Sequence, residues 1–514
     1  MTFEDSGRTT AQSQSGEAAH SADPRSGERR WVTALVGLSA VVMTLDISIV
    51  NVALPDIAAD FGSGLEAAQW IINAYVLAFA ALLLTVGAAS DRLGRRRIFL
   101  VGHVIFAVGS LLCALAPTDA ILIGGRGVQG IGAALVFGTC LALLSDAYGD
   151  DSAGRVRAVG VFMACGAGAV ALGPLVGGLL VELGGWRWIF AINLPIGVGV
   201  IIATLATMNL ADKTVGSSRV DPVSTVLITT LFFAANFALL SGPDHGWTSP
   251  RVLLCAVVTV IVGVAAFWRQ RALGDDAMVD LSLFRIPTFS AVIFISFAIR
   301  VFSFGVFPFL IFWFSGANGL SPVQTGAVLL FLAIPMIIAA GPSVALARVV
   351  SLARVLALSM STVAAGLIWA AVVAGPDASW TALIGPLVLI GIGSGLSMPH
   401  IMDIAMAVAP ARLAGTATGV ANTAFPLGTA AGIAVFGALI HGRVDAASAL
   451  PEPARPLAYV AEFDRLAPLG ESAVDAARSA YGSGLTTMFI VAAAVAAVAA
   501  VVALTSVRTN DFRA

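Results

Sequence analysis

Residues 31–54 read WVTALVGLSAVVMTLDISIVNVAL, an apolar run of helix length broken by one charge, Asp46. About 20 apolar residues in a helix reach across a bilayer. A carboxylate near the middle of such a run costs roughly 2.5–3.5 kcal/mol on insertion scales, so it faces a cavity or a partner rather than lipid. What Asp46 faces is the question for the rest of the chain. Composition leaves one fold class. Of 514 residues, 58% are hydrophobic and 11% charged, with mean hydropathy +0.94. That is more apolar surface than a soluble chain of this size can bury. An all-α membrane protein with many spans is expected.

Outward from that run, residues 1–30 are Ser-, Gly- and Arg-rich without periodicity and read as a disordered tail. Apolar runs follow at about 32–54, 68–89, 97–116, 120–144, 157–181, 187–209, 221–241, 251–268, 287–314, 322–345, 354–374, 380–408, 414–440 and 485–507, which predicts fourteen spans. With the N-terminus inside, most of the 28 basic side chains fall on that side. The other side holds only Arg187, Arg251, Arg443, Arg455, Arg465 and Arg478, while Arg126 and Arg300 lie within spans. Basic residues stay on the cytoplasmic side, so both termini are expected there, in a bacterial cytoplasmic membrane. The one long connection, 441–484, is then extracellular. It carries Pro451, Pro453, Pro456 and Pro468 and reads as a partly ordered surface loop.

Cys113, Cys140, Cys165 and Cys255 each lie inside an apolar run with no metal-ligand spacing, so no metal or cofactor is expected. The first run is too long for a signal-peptide core, and no cleavage site follows it. Neither a nucleophile–base constellation nor a G-x-x-x-x-G-K-[ST] phosphate loop exists, which argues against an enzyme and against ATP drive.

Three stretches bear on the partner of Asp46. GAASDRLGRRR (87–97) is a short loop between two spans, with Asp91 and Arg95. Arg95 can pair with an acid at the inner end of a neighbouring span, and Asp146 is the nearest. Such a cluster can latch two bundles together. IGGRGVQGIGAA (123–134) puts Arg126 inside hydrocarbon among glycines that allow close helix contact. Asp46 and Arg126 each lie about 10 Å below the outer surface at ~1.5 Å per residue, so they can meet if their helices are neighbours. GAGAVALGPLVGG (166–178) holds Gly166, Gly173, Pro174, Gly177 and Gly178, a proline-kinked helix with a smooth packing face.

In combination these motifs resemble the major facilitator superfamily. The 87–97 loop is similar to that superfamily's signature between helices two and three, and 166–178 to its antiporter motif. LDISIVNVALP (45–55), RGVQGIGAA (126–134) and WRWIFAINLPIG (186–197) are similar to the fourteen-span drug/proton antiporter branch. The resemblance implies two six-helix bundles, 31–209 and 287–507, separated by an inserted hairpin with its linkers at 210–286, and a short cytoplasmic tail at 508–514. It implies proton coupling through Asp46 and Arg126, an inner latch of Asp91 and Arg95, and bundle packing at Gly173 and Pro174.

The second half departs from the pattern. GPSVALARVVSLARV (341–355) has no acid corresponding to Asp91. The Gly-rich span at 417–438 keeps Asn422 but has Phe425 and Pro426 where the family often carries Arg and Gln. Arg300, His400, Asp403 and Asn422 are candidates for a cavity or second coupling site. His400 and Asp403 share a helix face and can instead form a structural ion pair. Asn51, Phe304 and Phe425 are candidate substrate-cavity residues. Most of the aromatics of span nine (Phe289 to Phe314) are expected to meet lipid. The expected function is proton-driven export of a hydrophobic drug- or antibiotic-like molecule by a monomer, with no nucleic-acid partner. The alternative is a proton-coupled importer of a nutrient or siderophore on the same fold.

Overall fold

The computed structural model describes residues 26–149, 151–208, 221–246, 248–274, 277, 281–376, 378–409, 414–508 and 511. Among them lie seventeen α-helices and no strand. The first seven are α1 (Ser26–Phe61), α2 (Leu65–Leu93), α3 (Arg95–Ala114), α4 (Asp119–Tyr148), α5 (Ser152–Gly184), α6 (Trp188–Ala191) and α7 (Asn193–Thr207). A hairpin follows, α8 (Pro222–His245) and α9 (Pro250–Leu273). The rest are α10 (Pro287–Phe304), α11 (Phe307–Gly316), α12 (Pro322–Leu346), α13 (Leu352–Val373), α14 (Ile384–Ala407), α15 (Ala414–Asp445), α16 (Arg455–Tyr459) and α17 (Glu471–Ser506).

Helix starts follow local chemistry. Thr118, Asp151, Asp221, Ser249 and Ser321 each accept a backbone N–H from the first turn they precede, and proline stands at the start of α8, α9, α10 and α12. Twelve helical stretches of the described residues are long and apolar enough to cross a membrane. Parts of α5 and α8 are shorter apolar pieces by the same measure.

Helices α1–α7 pack on one another, and so do α10–α17. The two groups meet where α5 lies against α12, α2 against α15, and α1 against α11. The contacts that can be named at these seams lie toward the helix ends remote from the chain's termini, hereafter the far face. Ser321 donates to Glu182 at 3.4 Å there, and Gln69 to the Ile433 carbonyl at 3.4 Å. α8 packs on α9, and also on α2 and α15 together.

Several expectations change. The helix begins at Ser26, so 26–30 is not part of a disordered tail. The last span starts fourteen residues earlier than 485, because Glu471–Ser506 is one helix. The long connection shrinks accordingly, and it is packed rather than loose. Leu450, Ala454, Ala458, Val460, Phe463 and Leu466 are buried, and Phe463 meets Trp313 and Tyr481 edge-on at 6.2 Å.

Span nine is two helices, α10 and α11, parted at Gly305. Most of its aromatics are interior, with Phe294 and Phe297 half-buried. Phe289, Phe302, Phe304, Phe307, Phe309, Phe312, Trp313 and Phe314 are all buried. The reason is position: this pair packs against α14, α15, α17, α1 and α12, so every face has a protein neighbour. Hydropathy alone cannot separate an interior helix from a lipid-facing one, since both are apolar all round.

Candidate functional site

Asp46 sits midway along α1, with its side chain 1% exposed. Two helices supply three donors to it. Arg126 of α4 places NH1 2.5 Å from Asp46 Oδ2. Gln129, one turn further along α4 on the same face, donates through Nε2 to Oδ1 at 3.2 Å. Asn193, the first residue of α7, donates through Nδ2 to Oδ1 at 2.8 Å. Both carboxylate oxygens are therefore engaged.

The surroundings hold the donors in turn. Arg126 also donates through Nε to the Ile71 carbonyl at 3.0 Å and through NH1 to Gln129 Oε1 at 2.9 Å. Its guanidinium lies over the Tyr75 ring at 4.4 Å. Gln129 Nε2 reaches Ser110 Oγ of α3 at 2.8 Å. Arg126, Gln129, Ser110 and Asn193 are all buried. A buried ion pair is tolerable only when the remaining donors and acceptors find partners, and here they do.

Local sequence explains the geometry. Glycines let α4 come close to its neighbours: a Cβ at Gly130 would run into the Tyr75 carbonyl of α2, and one at Gly132 into the backbone of Phe106 in α3. The corner WRWIFAIN fixes the height of Asn193. Trp186 Nε1 and Arg187 NH1 both donate to Asp60, at 3.0 and 2.9 Å, and Arg187 NH2 donates to the Ala116 carbonyl at 3.2 Å. Asp60 thus ties the corner to the end of α1, fourteen residues beyond Asp46.

The glycine motif of α5 divides its work. Cβ atoms at Gly173 and Gly177 would meet Ser48 and Ile49 of α1, within the same half. A Cβ at Gly178 would meet the Pro322 carbonyl of α12, and the Pro174 carbonyl meets Gly326 of α12. Gly166 has only Thr44 Oγ1 within reach of a Cβ, at 3.7 Å.

The inner charge cluster forms the expected pair: Arg95 Nη1 meets Asp146 Oδ1 at 2.6 Å and donates to the Ala142 carbonyl at 3.3 Å. Arg95 opens α3 and Asp146 lies near the end of α4, so this pair ties two helices of one half. The side chains of Asp91, Asn422 and Phe425 lie outside the described residues.

In the second half, Arg300 lies over the Phe304 ring at 4.3 Å. His400 turns Nε2 to Ser343 Oγ of α12 at 2.7 Å, while Asp403 is exposed, so the ring's hydrogen bond crosses to another helix and does not go to that acid. Asn51 donates to the Ile47 carbonyl of its own helix at 3.0 Å and is 4% exposed.

Gln129, Asn193, Ser110 and Tyr75 were not singled out from sequence. Gln129 was legible as the i+3 neighbour of Arg126, and Asn193 as the amide of the WRWIFAIN stretch. Ser110 carried no signal.

The comparisons with known proteins agree with this architecture. The family model described as Major Facilitator Superfamily matches residues 36–433. The chain is 31% identical over 410 residues to the methylenomycin A resistance protein of Bacillus subtilis (strain 168), covering 80% of this chain and 87% of that one. It is 31% identical over 498 residues to the tetracenomycin C resistance and export protein of Streptomyces glaucescens, covering 93% and 91%. It is 30% identical over 487 residues to the multidrug efflux pump LfrA of Mycolicibacterium smegmatis, covering 91% and 94%. Among solved structures it resembles the inward-facing, occupied crystal structure of a bacterial homolog of the human lysosomal transporter Spinster, with TM-score 0.68, 16% identity, and 94% and 98% of the two chains covered. These are transporters, not enzymes, and the chain belongs to the Major Facilitator Superfamily.

Proposed function

We propose that the protein exports hydrophobic, antibiotic-like compounds across the bacterial cytoplasmic membrane in exchange for protons. It would act as a monomer of fourteen spans, with α5 and α8 counted among them and both termini cytoplasmic. Relatives named for resistance and export support the direction of transport. No observation favours import.

The observation that carries the proton step is the enclosed Asp46–Arg126 pair. As a pair it is neutral, and Gln129 and Asn193 complete the shell around the carboxylate. Movement that pulls Arg126 away leaves a bare carboxylate in a water-poor interior, which is costly until a proton neutralises it. Return of Arg126 expels the proton. The far face is closed in this structure by α5 on α12 and α2 on α15, so alternation parts those seams as the two halves rock.

The test uses the full-length protein in vesicles loaded with ethidium as a flat cationic probe. Under an imposed pH gradient, Asp46→Asn loses proton-driven efflux at least ~100-fold, the size expected when an essential proton carrier is removed, while ethidium binding stays measurable. Efflux by Asp46→Asn at the original rate overturns the proposal.

A further inference from the structure

The α2–α15 seam is built differently from the α5–α12 seam. Between α5 and α12 the closest approaches are backbone on backbone, through Pro174, Gly178, Pro322 and Gly326, with Ser321 donating to Glu182 at the rim. Between α2 and α15 it is made by amide side chains. Gln69 is 3% exposed and donates to the Ile433 carbonyl. α15 makes room for it with Gly437, where a Cβ would run into the Gln69 amide. Asn73 follows one helical turn deeper on the same face of α2. It is 0% exposed, and neither its Nδ2 nor its Oδ1 has a protein hydrogen-bond partner among the described residues.

A fully buried amide with no partner is a penalty carried only while the seam is shut, because opening hydrates it. An apolar residue at 73 would carry no such penalty. This seam is also the one that α8 covers. Phe233 and Phe237 of α8 lie 6.1 and 5.6 Å from the Trp70 ring of α2, and α8 reaches α15 as well. That third helix screens the seam from lipid, where a freed amide would find nothing to bond.

We propose that Gln69 and Asn73 of α2, set against Gly437 of α15, form a reversible amide gate on the far face, in which the unpaired Asn73 holds the closed state close in free energy to the open one. The gate makes closure cheap to undo, whereas the α5–α12 seam closes mainly by glycine packing. The inference rests on the alternating-access part of the proposed function and not on its proton step.

Two substitutions push the gate in opposite directions. The measurement is backbone hydrogen–deuterium exchange over residues 60–75 and 430–445 in the full chain in lipid nanodiscs, without substrate and at equal pH on both sides. Asn73→Leu removes the penalty, so exchange slows about tenfold in both segments, the shift expected from removing one unpaired buried amide. Asn73→Ala slows it in the same sense and carries the test if leucine does not fit. Gly437→Ala crowds Gln69 and speeds exchange. Unchanged exchange in both Asn73 variants, or slower exchange in Gly437→Ala, overturns the gate.

The same opposed shifts are expected in an Asp46→Asn background. Their presence there supports the gate whatever ethidium efflux shows about the proton. Their absence there, in a variant that still binds ethidium and has lost proton-driven efflux, defeats the gate alone.

Discussion

In the first half of the molecule, α1, α4 and α7 bring Asp46, Arg126, Gln129 and Asn193 into one closed network. In the second half, Arg300 of α10 lies over an aromatic ring, and His400 of α14 meets a hydroxyl. Around them α10 and α11 supply eight buried aromatic side chains from Phe289 to Phe314. One half therefore carries a buried pair of opposite charges whose separation has a large cost, and the other carries dense aromatic packing. A transporter that uses ion-pair breakage to couple a proton needs the first kind of half. The second kind gives it a rigid counterpart to move against.

The largest expected effect comes from leaving the acid without its cation. Arg126→Leu lowers stability by about 3–5 kcal/mol, because an unpaired carboxylate stays buried. Phe304→Leu in the second half costs less than about 1.5 kcal/mol, because the apolar volume is largely kept. Chemical denaturation in detergent compares them directly, and equal losses would break the contrast between the halves. Next, the double variant Asp46→Asn/Arg126→Gln recovers at least about 2 kcal/mol relative to Arg126→Leu, since no buried charge remains. Its ethidium efflux stays absent. Recovery of both stability and efflux would show the pair to be structural only.

Smaller effects sharpen the picture of the shell. Gln129→Ala and Asn193→Ala each cost about 1–2 kcal/mol, as expected for a lost hydrogen bond to a charged group. Ser343→Ala in the second half costs about 1 kcal/mol or less, because its partner is a neutral-type hydrogen bond. The smallest effect is at the edge of the hairpin. Asp221 caps α8 and takes Arg269 at 2.9 and 3.1 Å, and this guanidinium holds its carboxyl well below the usual carboxylate range. A lowered value means the contribution is complete above the unfolded carboxylate range, near pH 4, and fades only as pH falls further. Hairpin stability is therefore flat from about pH 5 to 8. Asp221→Asn costs less than about 1 kcal/mol there, because Arg269 is open to solvent.

Much of this site was legible in the sequence because the signal is local. One charge in an apolar run is conspicuous whatever surrounds it, which is how Asp46, Arg126 and Arg300 stand out. Matching depth brought Asp46 and Arg126 together on paper, since rise per residue is fixed in a helix. The Arg95–Asp146 pair was legible as a pair. Whether two helices belong to one half or to opposite halves is not written in either of them. The aromatics of α10 and α11 were assigned to lipid for the same reason: composition reports that a helix is apolar, not what surrounds it.

By itself the sequence determined the class, the order of the helices, and the few intramembrane charges that need partners. Those follow from the cost of moving peptide and charge into hydrocarbon, which each segment bears alone. Only the tertiary structure decided which partners they have. Gln129 and Asn193 complete the shell of Asp46 because of how α4 and α7 are rotated against α1. Gly178 faces the opposite half while Gly173 and Gly177 face their own. Asn73 is left unpaired in a closed seam. Each of these depends on the rotation of a helix about its axis and on its neighbour, and those are set by packing the whole bundle at once.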